Sequence, residues 1–335
     1  MSIQTGAGEF VYEMVEDWCE LPGGGLCDVA GVGVDARGNV YLFNRGERPV
    51  IVLDSQGEFL HSWGDARMFP RAHAVTMGPD DTIWLTDVYD HTARQCTLDG
   101  KVLMTIGISG RAAPAMSGEP FNQCTHVAIH PHTGEIFVSD GYLNARVHKY
   151  SPDGRLLYSW GEPGNEPGQF NLPHNICTDR DGYVYVADRH NNRVQVFTPN
   201  GRVEHVWTGM AMPCGMCIDT RSAEQLCYIG ELSSVWWTRG MGEFWQAYNR
   251  PGMGPRISIY SLDGRLQAKL CDNGQGEGPG QLIAPHGIAV SAEGDIYVAE
   301  VSWSIFGRTL KTPRPVRNFL KLVKLRKSPR EEQPL

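Results

Sequence analysis

The chain has 335 residues, of which 41% are hydrophobic and 20% charged, so it can bury the core of a large domain. Its 38 acidic residues outnumber its 30 basic residues, which argues against a nucleic-acid-binding or membrane-surface protein. It has no apolar stretch long enough to span a membrane, and its acidic start does not look like a secretory signal. Nine cysteines, an odd number, predict reduced thiols and a cytoplasmic protein.

In chain order, six short runs of β-forming residues share one pattern, opening with an aromatic residue and ending with an acid or amide. Successive runs begin 43 to 69 residues apart, and most are followed by a second β run and a hairpin turn containing Gly. Such a period is typical of propeller blades, whereas two β-sandwiches would not explain it. The sequence therefore predicts an all-β fold, a six-bladed β-propeller. The runs are Tyr41–Asn44, Trp84–Asp87, Phe137–Asp140, Tyr185–Asp188, Tyr228–Glu231 and Tyr297–Glu300.

The repeat extends over nearly the whole chain, which predicts a single domain covering residues 1–335. Because the last blade is short of strands after Tyr297, the segment Glu9–Val15 is predicted to close the ring there. Insertions at 232–255 and 301–315 enlarge blades 5 and 6, and they are predicted to border an axial substrate pocket. An oligomer contact is the alternative, and the oligomeric state is not predicted. The candidate substrate-binding residues in the insertions are Trp236, Trp237, Arg239 and Trp303.

Four of the 11 histidines occupy one repeated position, 11 residues before the aromatic that opens a run. In blade 1 this position holds Ala30, and in blade 5 it holds Cys217, or Cys214 if a longer turn is assumed. The position begins the innermost strand of each blade, so its side chains are expected to converge on the central channel. The histidines are His73 in blade 2, His126 in blade 3, His174 in blade 4 and His286 in blade 6.

Three of these residues, His73, His174 and His286, stand on alternate blades, about 120° apart in a six-fold ring. Three neutral imidazoles in this arrangement suit Zn²⁺ with an open coordination position. Such an ion acts as a Lewis acid or lowers the pKa of a bound water or alcohol. His126 breaks the symmetry and is predicted to lie beside the metal or in the substrate pocket. The alternative is that each histidine is a packed channel residue.

Three polar residues follow the second strand of their blades, namely Arg45, Arg189 and Tyr142. Two guanidinium groups and a phenol near an axial metal can bind a carboxylate and move a proton. Alternatively, the arginines pair with blade acids such as Asp188. The single CxxC motif from Cys214 to Cys217 is weak evidence for a metal, because a strand points these two sulfurs to opposite faces.

Five strings of the sequence match the motifs of a known family. The strings are Arg71–Val75, Ile136–Arg146, Gly168–His174, Ala187–Arg193 and Ala284–Gly287. On these residues the chain resembles the NHL-repeat six-bladed propellers and, within them, the peptidyl-α-hydroxyglycine α-amidating lyases. The resemblance covers roughly residues 31–300 and is tightest over blades 3 and 4.

The resemblance implies a zinc-dependent carbon–nitrogen lyase. Its substrate would be an N-acyl hemiaminal like α-hydroxyglycine, presented as a small molecule or a short peptide. A tyrosine, as phenolate, would take the hydroxyl proton, and the products would be an amide and an aldehyde such as glyoxylate. The implied site consists of zinc ligands His73, His174 and His286, catalytic Tyr142, and active-site Arg45 and Arg189.

Some positions depart from the family pattern. Gly287 stands where the family has an Asp of its calcium site, which makes calcium a less favoured second metal. Cys124 matches one half of a family disulfide, but Leu143 stands at the other, in keeping with reduced thiols. No copper monooxygenase domain precedes the propeller, so this chain is not expected to make hydroxyglycine itself. The aromatic insertions favour a smaller and more apolar substrate.

Two other classes of function stay open. The first is a metal-dependent hydrolase of the lactonase kind, in which the metal would activate water. Propeller lactonases usually favour calcium with oxygen ligands, which a set of histidines argues against. The second is a non-catalytic NHL interaction propeller, which predicts a basic or aromatic top face and no metal.

Overall fold

A computed structural model describes residues 3–23, 25–232 and 250–326. Within these ranges the chain forms 25 strands and one short α-helix, so the predicted all-β fold is confirmed. All six aromatic runs are strands that pack in the middle of a blade, and nearly every residue in them is buried. No helix in these ranges reaches the length and apolarity that a membrane span requires.

The strands form six antiparallel sheets, and these are the blades of a six-bladed β-propeller. Each sheet runs from an innermost strand outward, and the innermost strands contact one another around a complete ring. Blade 1 contains β3 (Val29–Val34), β4 (Val40–Asn44), β5 (Val50–Leu53) and β6 (Phe59–Trp63). Blade 2 contains β7 (Ala72–Gly78), β8 (Thr82–Asp87), β9 (Thr92–Thr97) and β10 (Val102–Gly107). Blade 3 contains β11 (Cys124–Ile129), β12 (Ile136–Asp140), β13 (Arg146–Tyr150) and β14 (Leu156–Trp160).

Blades 4 and 5 follow the same pattern, and blade 6 combines both ends of the chain. Blade 4 contains β15 (Pro173–Thr178), β16 (Val184–Asp188), β17 (Arg193–Phe197) and β18 (Val203–Trp207). Blade 5 contains β19 (Pro213–Asp219), β20 (Leu226–Glu231), β21 (Arg256–Ser261) and β22 (Leu266–Leu270). Blade 6 contains β23 (Pro285–Val290), β24 (Ile296–Glu300), β25 (Phe319–Lys324), β2 (Phe10–Val15) and β1 (Ile3–Ala7).

The ring closes as the sequence predicts, by pairing the N-terminal segment with the last blade. Strand β2 lies antiparallel to β25, with Tyr12 opposite Lys324, and β1 adds a fifth strand outside it. The buried Arg317 reinforces this closure, because it donates to the carboxylates of Glu300, at 3.1 Å, and Glu16. A closed ring leaves few free strand edges for other chains to pair with.

Tryptophan residues on the outer strands explain why glycine-containing turns recur in the sequence. The indole of Trp63 covers Gly100 in the next blade, and Trp207 covers Gly264 in the same way. Both glycines have positive φ, and a Cβ on either would lie 2.6 Å from the indole. Only glycine meets both requirements at little cost, so these turns also serve as packing sites between blades.

The second insertion folds over one end of the channel. It contains the helix α1 (Ser302–Ile305) followed by a 3₁₀ turn (Gly307–Thr309). The amide of Ser304 donates to Asp28 Oδ1 in blade 1 at 3.0 Å, which ties the helix to the ring. Most of the first insertion, residues 233–249, lies outside the described ranges.

Candidate metal centre

Every innermost strand carries a β-bulge after its first residue. Bulges re-aim side chains and are frequent next to functional sites. In each blade the aromatic that opens the repeated run, on the second strand, pairs with the residue three positions after the bulge. The bulged residues, from blade 1 to blade 6, are Ala30, His73, Thr125, His174, Cys214 and His286.

This register corrects the sequence-based alignment in blade 3, where Thr125, and not His126, is equivalent to the other three histidines. The turn between β11 and β12 is one residue longer than its counterpart in blade 4, so counting 11 residues back from Phe137 stops one residue short of the bulge. In blade 5 the equivalent residue is Cys214, the reading that assumes a longer turn, and Cys217 lies farther along the strand.

The three bulged histidines meet on the axis of the propeller. The ring centroids of His73, His174 and His286 are 4.7 to 4.8 Å apart, which is close to an equilateral triangle. All three are buried, and their candidate ligand atoms lie within 4.8 Å of one another. Within the described ranges, no other group of three or more His, Cys, Asp or Glu side chains brings its ligand atoms this close together.

The three bulged residues of the odd-numbered blades orient these histidines. Each imidazole directs Nδ1 at a main-chain carbonyl in the following blade, and a carbonyl can only accept a hydrogen bond. The proton must therefore sit on Nδ1, which leaves the lone pair of Nε2 free for a metal. The pairs are His73 with Thr125 at 2.6 Å, His174 with Cys214 at 3.1 Å, and His286 with Ala30 at 2.6 Å.

Electrostatics favour the neutral, metal-binding form of the rings. Burial lowers the pKa of all three imidazoles well below the usual value. The positive charge of Arg189 lowers the pKa of all three rings further, and that of Arg45 does so for His73 and His286. Three neutral nitrogen donors without a carboxylate or thiolate among them match the facial set that zinc accepts.

Tyr142 reaches the same point on the axis. Its hydroxyl oxygen lies 3.1 Å from His73 Nε2 and 3.2 Å from His174 Nε2. The turn that carries it passes very close to blade 4, since a Cβ on Gly141 would lie 2.1 Å from the carbonyl oxygen of Pro173. Glycine at 141 is thus what lets the turn bring the phenol over the channel.

The two arginines frame the tyrosine. The guanidinium carbon of Arg189 lies 5.5 Å from the centroid of the Tyr142 ring. The Nη1 atom of Arg189 lies 3.9 Å from Cys214 Sγ. The Nε of Arg189 is buried and has no hydrogen-bond partner within the described ranges, so a donor is available for a bound ligand. Asp188 does not pair with Arg189, because its carboxylate accepts from Arg193 Nε at 2.8 Å.

Arg45 lies on the opposite side of the site. Its side chain is only 8% exposed. Its Nε donates to the carbonyl of Ala72 at 2.8 Å, and its Nη1 lies 3.8 Å from Asp28 Oδ2. Burial lowers the pKa of Arg45, and the charge of Arg71 adds to this effect. A buried guanidinium with one distant counterion is a favourable site for an incoming carboxylate.

Tyr142, Arg45, Arg189 and His286 line a cavity of about 350 Å³ at one end of the channel. The second insertion covers part of it, through Ser304, Ile305 and Arg308. Sequence reasoning missed several of its lining residues, because contacts between distant segments bring them there. Those residues are Arg71, Tyr89, Met212, Gln275 and Ser304.

Two predicted pocket residues lie elsewhere. His126 lines a separate cavity of about 420 Å³ at the other end of the channel, and its Nε2 faces the Val75 carbonyl and the Thr76 hydroxyl. It follows the bulge and does not line the cavity that Tyr142 lines, and its role beside the metal or in a substrate pocket stays a prediction. Trp303 does not line the cavity of about 350 Å³ around Tyr142 either, and it packs beside Gly307. Trp236, Trp237 and Arg239 lie outside the described ranges.

The position expected for a calcium-binding carboxylate is closed to side chains. A Cβ on Gly287 would lie 2.9 Å from Gly31 Cα and 3.1 Å from the Ala30 carbonyl oxygen. Blades 6 and 1 therefore approach too closely for an aspartate at this point. The three histidines fit zinc better than any oxygen-ligated ion.

Comparisons with known proteins agree with this architecture. The sequence model of the NHL repeat matches residues 170–197, which contain the first three strands of blade 4. Peptidyl-alpha-hydroxyglycine alpha-amidating lyase 1 of Drosophila melanogaster is 28% identical over 322 residues, covering 82% of this chain and 55% of the relative. The peptidyl-glycine alpha-amidating monooxygenase of Mus musculus is 31% identical over 224 residues, covering 57% of this chain.

This chain aligns with 22% of the mouse protein's length, so the match concerns only part of that protein. Among solved structures, a streptogramin B lyase superposes with a TM-score of 0.55 at 13% identity, over 95% of this chain and 97% of that one. That likeness is one of fold. The chain is a six-bladed β-propeller with an NHL repeat. Its predicted resemblance to the peptidyl-α-hydroxyglycine α-amidating lyases is confirmed by relatives of that name.

Proposed function

We propose that this chain is a zinc-dependent lyase that cleaves the C–N bond of an N-acyl-α-hydroxyglycine-like substrate to an amide and glyoxylate. The observation that carries the proposal is the Tyr142 hydroxyl beside the Nε2 atoms of His73 and His174. A proton acceptor and a metal site are thereby in contact. The lyase names of the relatives point the same way.

The metal would be held by Nε2 of His73, His174 and His286, whose Nδ1 atoms are already committed to carbonyl groups. Zinc bound there supplies Lewis-acid chemistry, which makes the hydroxyl of the substrate more acidic. A metal held by only these three side chains would remain open to a substrate oxygen.

The protein's own residues supply binding and proton transfer. Arg45 and Arg189 hold the carboxylate of the hydroxyglycine and so orient its hydroxyl toward Tyr142. The guanidinium of Arg189 lies 5.5 Å from the centroid of the Tyr142 ring, so the carboxylate is held beside the group that takes the proton. The phenolate takes the hydroxyl proton, the C–O bond becomes a carbonyl, and the C–N bond breaks. The leaving amide nitrogen receives the proton, so glyoxylate and a primary amide account for every atom.

The proposal is tested by incubating the zinc-loaded chain with N-benzoyl-α-hydroxyglycine and measuring both products. We expect glyoxylate and benzamide in equal amounts, with activity lost on chelation and restored by zinc. Arg155→Gln serves as a matched control, because Arg155 is exposed on a hairpin turn at the opposite end of blade 3. Product formation no faster than in buffer, at full zinc occupancy, would contradict the proposal.

A further inference from the structure

The cavity above the metal centre holds more positive charge than a substrate with one carboxylate requires. Four arginines line it, Arg45, Arg71, Arg189 and Arg308, and no described lining residue is an aspartate or glutamate. Within the described ranges, only Arg45 of the four has a carboxylate within 4.0 Å, that of Asp28. Four cations beside one anion leave a strongly positive surface inside a concave site, which attracts anions.

These arginines form two groups at different depths. Arg45 and Arg189 lie deep, against the histidines and Tyr142, where the proposed reaction needs a carboxylate. Arg71 is half-buried and Arg308 is exposed, so both lie toward the mouth of the cavity. A ligand whose first carboxylate sits deep can therefore present a second group to the outer pair.

Arg71 is held in place for such a contact. Its Nη2 donates to Ser304 Oγ at 3.2 Å, and the amide and hydroxyl of Ser304 in turn donate to the carboxylate of Asp28. The guanidinium also lies 5.9 Å from the ring centroid of Tyr89. With Nη2 directed at Ser304, the remaining guanidinium N–H groups of Arg71 have no acceptor within the described ranges. A planar guanidinium with free donors suits a carboxylate.

We propose that Arg71 and Arg308 form a second anion subsite, which makes this propeller selective for substrates with a carboxylate on the acyl side as well as on the hydroxyglycine. This inference rests on the proposed function for the place of the first carboxylate. It narrows the substrate class to short dicarboxylic N-acyl-hydroxyglycines, in keeping with a cavity of about 350 Å³. It also replaces the sequence-based expectation of a more apolar substrate.

The test measures binding, so that it does not depend on turnover. Succinate, glutarate and adipate are titrated calorimetrically into the zinc-loaded chain, alongside butyrate, pentanoate and hexanoate as singly charged partners of equal length. We expect the best dicarboxylate to bind at least tenfold more tightly than its partner. Arg71→Gln should reduce this ratio at least fivefold, whereas Arg155→Gln, which changes an exposed arginine at the opposite end of the propeller, should leave it unchanged.

Equal affinity for the two series, or an unchanged ratio in Arg71→Gln, would overturn the subsite. A parallel assay compares glyoxylate release from N-succinyl- and N-butyryl-α-hydroxyglycine. Release from both at equal efficiency would remove the second subsite and leave the lyase. Retained dicarboxylate selectivity without glyoxylate release from either substrate would support the subsite and remove the lyase reaction.

Discussion

Replacing Tyr142 with phenylalanine tests the chemistry of the site most selectively, because it deletes a single oxygen atom. That oxygen lies 3.1 and 3.2 Å from two imidazole nitrogens, whereas the ring, which stays, makes the contact with Arg189. The variant therefore keeps the shape of the cavity and its guanidinium contact and loses the proton acceptor.

The expected loss follows from the role of that oxygen. Removing a general base costs about 10² to 10⁴ in rate, or about 2.7 to 5.4 kcal/mol in the activation free energy. We expect kcat for glyoxylate release from Tyr142→Phe to fall by this factor, with KM changed less than about threefold. The reason is that Arg45 and Arg189, which bind the carboxylate, are untouched.

Steady-state kinetics at equal zinc occupancy give the answer, with metal content measured on the same samples. A kcat within fivefold of the unmodified chain would refute the reasoning. Such a result would favour the hydrolase alternative, in which the metal activates water and the phenol is not needed as a base.

Two further predictions concern stability, measured as the free energy of unfolding in urea. Burial lowers the pKa of His126 from 6.5 to about 4. Between these two values acid protonates this residue in the unfolded chain before it does so in the folded chain, so the free energy of unfolding falls as the pH drops below 6.5. His126 accounts for about 2 kcal/mol of the free energy of unfolding that is lost between pH 6.5 and 5, and His126→Gln should remove this contribution. Arg317→Gln leaves the buried carboxylate of Glu300 without its ion-pair partner and should lower the free energy of unfolding by about 3 to 5 kcal/mol. Arg265→Gln, which removes an exposed ion pair with Asp263, should lower it far less.

Each stability prediction has a clear contrary result. If His126→Gln and the unmodified chain lose the same stability between pH 6.5 and 5, another group carries the acid sensitivity. If Arg317→Gln costs no more than Arg265→Gln, the ion-pair network at the ring closure is not what holds the two ends of the chain together.

The sequence alone was enough to predict the fold because the blade register is constant. The aromatic that opens each repeated run pairs with the residue three positions after the bulge in all six blades, so a period appears in the printed sequence. The closing strand was predictable for a similar reason, since the last blade lacked strands and β2 was the unpaired one.

The same counting failed where turn length varied. A turn one residue longer in blade 3 shifted the count from Thr125 to His126, and the longer turn in blade 5 left Cys214 and Cys217 as alternatives. A count back from one strand to its neighbour is only as accurate as the turn between them, and no local pattern in these turns signals the extra residues.

Arg71 was missed for a different reason. It precedes the predicted ligand His73 by two positions, yet its place in the cavity depends on Ser304, which is 233 residues away in sequence. The position of that helix follows from contacts with Asp28 in blade 1, and a repeat pattern carries no information about where an insertion folds. Residues from insertions are thus the part of a propeller site that sequence reasoning predicts least well.

Metal content of the purified chain, measured by mass spectrometry beside His174→Ala, tests the central claim most directly. We expect about one zinc per chain, with loss of at least tenfold in His174→Ala, because one of three ligands is removed. His126→Gln is the matched control and should keep its zinc, since His126 lines the other end of the channel. A chain that takes up no transition metal after zinc addition, or a His174→Ala variant that retains it fully, would contradict the axial site and the lyase built on it.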